Sequence, residues 1–551
     1  MTPTRGTPTR DHRIAGGVAG LLAAATAVLA AEALSALLTG VTSPLYSVAN
    51  RAVDWTPRPL KEWAVETLAT ADKPILVATV SVAVAVLGVV AGIVGVRRPR
   101  LAVGLFLVLS VVAIAAALTD RSASASAGVR LLPALLLAVV AVSTLLIQLA
   151  TLRRPAPDPV SDATPETPPA LVPLESIELG KPRMLLPKHV AGDDLPAAFD
   201  RRAFLVAALA VGAIAASSGA VRYVARGSGA AAARADVSLP APASAAPPLP
   251  DGVSFDLKGL TRHLTPNKDF YRVDTALQVP DVPIDGYALR IHGMVDQELE
   301  LSFEDLLSRR LVERRITLTC VSNQVGGPYV GNATWIGVPI RELLAEAGVQ
   351  QGADAVKSTS ADDFTIGTPM NVLADDRDAL IAVGMNGKPL PLEHGFPVRM
   401  VTPGLYGYVS ATKWLVDLEV TRFADFKAYW TTRGYAAEAP IKTSSRIDVP
   451  KSFARVKAGR TPVAGVAWSQ NRGIDKVEVR VDGGEWAEAR LSAEDNKNTW
   501  RQWMWEWDAT SGNHRLEVRA TDRTGKAQTS RRAPIAPDGS TGWHSVAVTV
   551  E

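Results

Sequence analysis

Cys320 closes an apolar, strand-like run, Arg315-Ile316-Thr317-Leu318-Thr319, and opens a glycine-containing loop, Val321-Ser322-Asn323-Gln324-Val325-Gly326-Gly327. A thiolate is a soft anion suited to a soft or high-valent metal centre, and a strand end that opens into a loop is where it can meet a metal or a substrate. The competing reading is an inert thiol buried in packing, the common fate of a lone cysteine. Because it is the single cysteine among 551 residues, an intrachain disulfide, a CxxC pair and a cysteine-held iron–sulfur cluster are excluded. Any redox chemistry here needs another cofactor.

A dense polar stretch follows, from Met385-Asn386-Gly387-Lys388-Pro389-Leu390-Pro391 through Glu393-His394-Gly395-Phe396-Pro397-Val398-Arg399 and Pro403-Gly404 to Tyr406-Gly407-Tyr408-Val409-Ser410 and Lys413-Trp414. Glycines allow backbone amides to approach an anion, and Arg399 and Lys413 can neutralise a phosphate. The segment therefore suits a phosphate-bearing cofactor. It also reads as a turn-rich connection between strands with His394 a satisfied turn residue, and composition alone does not separate the two.

The elements that must position these residues divide the chain. At roughly 100–200 residues per domain this length implies several domains, and the averages of 47% hydrophobic and 21% charged blend an Ala/Val/Leu-rich first part with a mixed remainder. A net charge of +3, without a basic face or interleaved Arg/aromatic pattern, excludes nucleic acid as a partner. Apolar runs at about 14–39, 74–96, 101–118, 129–150 and 203–220 are each near the ~20 residues that cross a bilayer. They predict five transmembrane helices, the first four within 1–155, then a cytoplasmic loop at 156–200 and the fifth helix at 201–222.

With the N-terminus inside, thirteen Lys and Arg fall on inner segments (Arg5, Arg10, Arg13, Arg97, Arg98, Arg100, Arg153, Arg154, Lys181, Arg183, Lys188, Arg201, Arg202). Six fall on outer ones (Arg51, Arg58, Lys61, Lys73, Arg121, Arg130), so the positive-inside bias places everything after residue 222 outside the cytoplasm. Asp200-Arg201-Arg202-Ala203-Phe204-Leu205 has the form of a twin-arginine export signal, which moves folded domains and suits one that takes up its cofactor in the cytoplasm. Glu32 is the carboxylate within these runs, either a functional intramembrane charge or a group meeting water or headgroups near the outer end of its helix. An Ala/Pro/Ser-rich linker at 223–252 is too poor in large apolar residues to pack and is expected to be a semi-extended tether.

Residues 253–438 mix short strands with helical segments at 303–310 and 339–347, an α+β pattern. From 439 to 551 strict alternation takes over, with Val477, Val479 and Val481 before an Asp482-Gly483-Gly484 turn, and predicts a β-sandwich. Trp503, Trp505 and Trp507 alternate on one face of a strand and are assigned to packing rather than to base stacking.

In order, the strand-end cysteine, Trp335-x-Gly-Val-Pro339, Asn386-Gly-x-Pro-Leu-Pro391, His394-Gly-Phe-Pro-Val-Arg399, Pro403-Gly-x-x-Gly407 and Lys413-Trp-Leu415 resemble the sulfite oxidase family. The resemblance covers 253–551. It implies three parts: the helical transmembrane region, an α+β molybdopterin-binding oxidoreductase domain at 253–438, and an immunoglobulin-like β-sandwich at 439–551 through which a homodimer could form. It further implies a molybdenum held by the dithiolene of molybdopterin and by Cys320, with the pterin and its phosphate gripped by Phe270, Tyr271 and Arg272, by Asn323, by His394 and Arg399, and by Ser410 and Lys413. Tyr435, in Trp430-Thr431-Thr432-Arg433-Gly434-Tyr435, falls where the family has an active-site tyrosine; a phenol there can donate to a metal oxo or substrate oxygen, or simply pack at a domain junction.

The sequence departs from the family where sulfite would bind. The loop after Cys320 holds no arginine before Arg341, and none stands beside Gly542-Trp543-His544. An anion pocket without bidentate cations loses much of its grip, which points to a neutral small-molecule substrate such as a sulfoxide or N-oxide. The seven histidines were counted outside the first four predicted helices, and no CxxCH occurs, so the membrane region is expected to carry no haem and electrons to pass through a separate partner protein. Two rival functions are a non-enzymatic membrane protein with an extracytoplasmic partner-binding module, which would need no metal thiolate, and a channel formed by the first four helices, which their scarcity of polar residues disfavours.

Overall fold

The computed structural model describes residues 9–38, 40–57, 60, 72–120, 125–154, 199–225 and 230–551. They fall into two compact units, one of helices closing at Ala225 and one running on to Glu551.

The first unit comprises α1 (Arg10–Leu37), α2 (Pro44–Trp55), α3 (Asp72–Arg97), α4 (Pro99–Thr119), α5 (Ala127–Thr151) and α6 (Arg201–Ala225). All but α2 are long and apolar enough to cross a membrane, as the five apolar runs predict. Where apolar surroundings give no hydrophobic drive between helices, close backbone approach supplies the packing. Gly16 and Gly20 of α1 meet Gly88 and Gly92 of α3 so closely that a Cβ on Gly20 would lie 2.0 Å from the Gly88 carbonyl oxygen.

The short amphipathic α2 was not anticipated from hydropathy. Pro44 occupies its first turn and the Ser43 side chain caps it, accepting from the Tyr46 N–H. The same Ser43 hydroxyl donates to Glu32, which is buried, unlike a group meeting water or headgroups, the second of its two readings. His12, counted outside the first helix, stands in the first turn of α1, buried against Phe199 with ring centroids 5.1 Å apart. The loop at 156–198, His189 within it, and Arg5, Arg58, Lys61 and Arg121, on which part of the orientation count rests, lie outside the described residues.

The second unit begins with α7 (Ala230–Asp236). The segment expected to be a free tether is packed: Val237 and Leu239 lie against the core, Ala243 N–H donates to Leu311 O at 2.8 Å, and Arg234 donates to Pro389 O and Leu390 O at 2.8 and 2.6 Å. Small residues give such a strip little apolar area, so backbone and arginine hydrogen bonds hold it instead, a force that composition does not register.

Two sheets build the α+β domain. One runs in the order β2 (Leu299–Ser302), β1 (Ala288–Gly293), β10 (Leu415–Thr421), β5 (Ala355–Ser360), β6 (Thr365–Pro369). The other runs β3 (Val312–Thr319), β4 (Val330–Pro339), β7 (Leu380–Met385), β8 (Lys388–Pro389), with β9 (Arg399–Val401) on β7. Every residue of β4 and β7 is buried, so these strands are covered on both faces, with Asn332 and Thr334 the polar side chains taken inside on β4. Helix α8 (Phe303–Ser308) starts with a capping box between Ser302 and Asp305, and α9 (Ile340–Ala347) ends on Gly348 at φ 70°.

The remaining strands form two facing sheets around one core. The first has the order β11 (Ser444–Val449), β13 (Gly459–Trp468), β17 (Arg501–Ala509), β16 (Arg490–Leu491). The second has β12 (Ala454–Val456), β19 (His544–Val550), β18 (Gly512–Asp522), β14 (Ile474–Val481), β15 (Ala487–Glu488). Trp503 and Trp507 are buried in their shared core and Trp505 packs against it, which is the packing role expected of that stripe. Chain 253–264 crosses this sandwich before entering the α+β domain: Phe255 N–H donates to Gln502 at 2.8 Å, and Trp500 Nε1–H to His263 O at 2.7 Å. Arg315, on β3, forks onto Asp495 at 2.6 and 2.8 Å, a buried pair that ties the two halves of this unit together.

Candidate active site

Cys320 follows the last residue of β3. Strands β3 and β4 pair up to Thr319 and Val330, so the loop between them starts and ends at one ladder rung, and Cys320 N–H donates to Tyr329 O at 3.0 Å. The Sγ accepts from Ser322 N–H at 3.4 Å. Burial, to 9% exposure, pushes the thiol pKa up, with that amide and the Lys413 ammonium opposing.

The thiol opens into a cavity of about 110 Å³. Six of the residues singled out from the sequence line it: Phe270, Tyr271, Cys320, His394, Arg399 and Lys413. Arg399 is carried by β9, whose pairing with β7 sets it opposite Ala382. At 5% exposure it donates to His394 O at 3.0 Å and stacks 4.9 Å over the Trp335 ring; burial lowers its pKa to about 10, which leaves it charged. Lys413 donates to Asp274 and to Glu393 O, and burial brings it down to about 8 against the pull of Asp274. Gly395, at φ 110°, sits where a Cβ would press at 3.1 Å on both Arg399 and Lys413, so the His-Gly turn can be this tight only with glycine.

His394 lies 3.0 Å from Asn267 O through Nε2. A carbonyl only accepts, which assigns the proton to Nε2 and leaves Nδ1 as an acceptor. Burial first, and Arg399 second, lower its pKa to about 4. The unfolded value is near 6.5, so between about pH 6.5 and 4 the unfolded chain binds a proton that the folded chain refuses. Stability from this group therefore falls as pH drops through that window. Expected on the cofactor-free full chain, by urea titration followed through tryptophan fluorescence, is a loss between pH 7 and pH 4 larger than that of His394→Asn by on the order of 2 kcal/mol. Equal losses would show that His394 titrates normally.

The other candidates stand back from the cavity. Arg272, half-buried, pairs with Asp274 at 2.9 Å and so reaches the site through the carboxylate that also holds Lys413. Asn323 accepts from Tyr329 N–H at 2.8 Å and shapes the cysteine loop. The Ser410 hydroxyl donates to Leu405 O and Tyr406 O at 3.1 and 3.0 Å, closing its own turn, and it is not among the lining residues. Tyr435 is not among the lining residues; its ring packs on Tyr408 and Trp430, which are, at centroid distances of 5.6 and 5.1 Å.

Sequence reasoning missed Asp274, Asp362 and Phe364, and it gave no role of their own to Tyr408, Trp414 and Trp430 within the motifs it named. Asp362 is the most telling. Held at 8% exposure, its Oδ1 has no hydrogen-bond partner among the described residues, and burial pushes its pKa up. A buried acceptor without a donor is a cost that a ligand N–H removes. In the sequence, Ala361-Asp362-Asp363 looks like any solvated turn. The cavity thus joins a thiol to two cations suited to a phosphate, a histidine acceptor and a carboxyl suited to the N–H edge of a flat heterocycle, with Phe270 and Tyr271 stacked at 5.1 Å beside it. These residues fit a phosphorylated pterin that brings a thiolate-seeking metal.

Residues 276–430 match the family model described as oxidoreductase molybdopterin binding domain. Sulfite oxidase of Gallus gallus is 32% identical over 335 residues, which cover 51% of this chain and 72% of that enzyme. Mitochondrial sulfite oxidase of Homo sapiens is 29% identical over 342 residues, 52% of this chain, so the chain spans 62% of the human enzyme. The sulfane dehydrogenase SoxCD of Paracoccus pantotrophus aligns with a TM-score of 0.46 at 25% identity, covering 54% of this chain and 85% of that one. With its likeness to sulfite oxidase over about half its length and with a cysteine, two cations and stacked aromatic rings lining one cavity, the chain belongs to the sulfite oxidase family of molybdopterin-dependent oxidoreductases.

Proposed function

We propose that this chain is a membrane-anchored enzyme that transfers an oxygen atom, with two electrons, on a small neutral substrate outside the cytoplasm. The observation that carries the substrate part is the cavity lining. Its cations among the described residues are Arg399 and Lys413, the first held at His394 O and the second on Asp274; the lining otherwise has neutral groups such as Val273, Val321, Phe364, Tyr408 and Trp430, hydroxyls such as Ser322 and Ser360, and the acids Asp274 and Asp362. A sulfite dianion finds no unengaged guanidinium pair there, and a sulfoxide or N-oxide needs none.

When bound, molybdopterin supplies a molybdenum that accepts or donates the oxygen atom. The protein orients that chemistry. Cys320 is the metal ligand in this reading, Arg399 and Lys413 take the phosphate, His394 Nδ1 and Asp362 take the pterin edge, and Phe270 and Tyr271 wall it. For reduction of a sulfoxide, two electrons and two protons yield a thioether and water; the electrons come from a separate electron-transfer partner. Tyr408, its hydroxyl donating to Ala436 O at 2.7 Å, lines the cavity and packs on Tyr435 behind it.

The anchoring part rests on five long apolar helices, on the Lys/Arg asymmetry and on the twin-arginine-like start of α6, which together favour an inner N-terminus. The domain division read from the sequence is kept, with 230–252 counted with the catalytic domain that it packs on. The C-terminal sandwich is immunoglobulin-like in this reading, and a homodimer would form through it.

Purified full-length holoenzyme is expected to oxidise a reduced viologen dye with dimethyl sulfoxide or trimethylamine N-oxide at kcat/KM at least ten-fold above its sulfite:ferricyanide activity. The reverse order would overturn the neutral-substrate reading.

A further inference from the structure

The loop from Val321 to Pro328 leaves and re-enters one β-ladder, and its local ties are few: Asn323 N–H to Cys320 O at 3.1 Å, Gly327 N–H to Gln324 O at 2.8 Å, Val330 N–H to Pro328 O at 2.9 Å, and Tyr329 N–H to the Asn323 side chain at 2.8 Å. An excursion with so few internal ties moves on fast timescales unless something else holds it. Yet it must aim one amide, Ser322 N–H, at Cys320 Sγ.

The holding groups come from the C-terminal sandwich. The Ser540 hydroxyl donates to Asn323 O at 2.7 Å, and Arg446 Nη1 donates to Gly327 O at 2.8 Å. Arg446 is itself fixed by Asp448 at 2.8 Å and by the Thr261 hydroxyl at 3.0 Å. Between them the His544 ring covers Gly326 so closely that a Cβ there would lie 2.1 Å from a ring carbon. His544 is oriented in turn: its Nδ1 accepts from Ile447 N–H at 3.0 Å, which puts the proton of the neutral ring on Nε2.

We propose that the C-terminal sandwich is a positioning element of the metal centre: Ser540, Arg446 and His544 clasp the loop 321–327 and so keep the Ser322 N–H on the Cys320 sulfur. An N–H donated to a ligating thiolate withdraws electron density from the metal and raises its reduction potential, and outer partners of this kind set ligand geometry. The clasp gives the second domain a part in the chemistry without placing a side chain of its own in the cavity.

The inference rests on Cys320 as the metal ligand for its spectroscopic arm, but its other arm does not. Cys320 is the single cysteine, so iodoacetamide reports this loop alone when the full-length chain is produced in a host that makes no molybdopterin. Ser540→Ala should speed alkylation of Cys320 several-fold, up to about ten-fold, the worth of one hydrogen bond, and Ser540→Ala/His544→Ala should speed it further. In holoenzyme the same variants should keep their molybdenum, shift its paramagnetic resonance g-values and lower its reduction potential. Thr549→Ala, which removes an exposed bond to Asn513 in the same sandwich, should change neither arm. Unchanged alkylation, or equal acceleration by Thr549→Ala, overturns the clasp. A wild-type holoenzyme without molybdenum would instead sink the metal reading, leaving the alkylation result to judge the clasp.

Discussion

Cys320→Ser is expected to lower turnover by more than 100-fold while leaving the fold and the bound pterin in place. The substitution is nearly isosteric at a position 9% exposed, so it opens no cavity and strands no partner beyond the weak Ser322 N–H contact. It replaces a soft thiolate by a hydroxyl that a high-valent, thiolate-seeking metal binds poorly. Loss of an outer partner of a metal ligand already costs about 10–100-fold, and loss of the ligand itself should exceed that. Steady-state kinetics, molybdenum and pterin analysis and resonance spectra on the full-length enzyme would decide it. Wild-type activity with unchanged spectra would return Cys320 to the inert packing role and reopen the reading of the chain as a partner-binding protein.

Arg399→Met is expected to empty the cavity. The methionine keeps most of the volume beside Trp335 but removes one of the two buried cations assigned to the phosphate, and Lys413, shared with Asp274, does not replace its fork. Truncating one partner of a buried, hydrogen-bonded charge pair costs about 2–5 kcal/mol, which corresponds to roughly 30-fold or more in affinity for the phosphate end of the cofactor. Pterin recovered from the purified variant should fall by at least that factor. Arg399→Lys should recover only part of it, because an ammonium restores the charge without the fork that reaches the His394 carbonyl. Full pterin occupancy in Arg399→Met would place the phosphate elsewhere.

The two substitutions test opposite ends of one cavity, and they differ in how visible those ends are before folding. Cys320, His394, Arg399 and Lys413 stand out in the chain because their types are rare or charged and their neighbours are glycine and proline, whose turn chemistry is local. Asp274 and Asp362 do not stand out. Each looks like a solvated loop acid, and each becomes informative only when burial removes water, pairing Asp274 with Lys413 and Arg272 and leaving an oxygen of Asp362 without a donor. Ser410, assigned to the cofactor through the family resemblance, has its hydroxyl engaged by two carbonyls of its own turn, an engagement that its motif does not reveal.

What the sequence determined by itself is whatever depends on local period and composition. Five apolar runs become five long apolar helices because about twenty consecutive apolar residues have no other stable arrangement. The alternating valines become one face of a two-sheet core because a strand's side chains alternate by geometry. What only the tertiary structure decided is whatever depends on partners distant in the chain. The strip at 230–252 is packed rather than free because Leu311, Pro389 and Leu390 present carbonyls to it. Glu32 is buried because Ser43 folds back onto it. The cysteine loop is held by residues more than a hundred positions away, Arg446, Ser540 and His544. Hydrogen-bond satisfaction in a dry interior is set by whichever groups the fold brings together, and spacing along the chain does not encode that meeting.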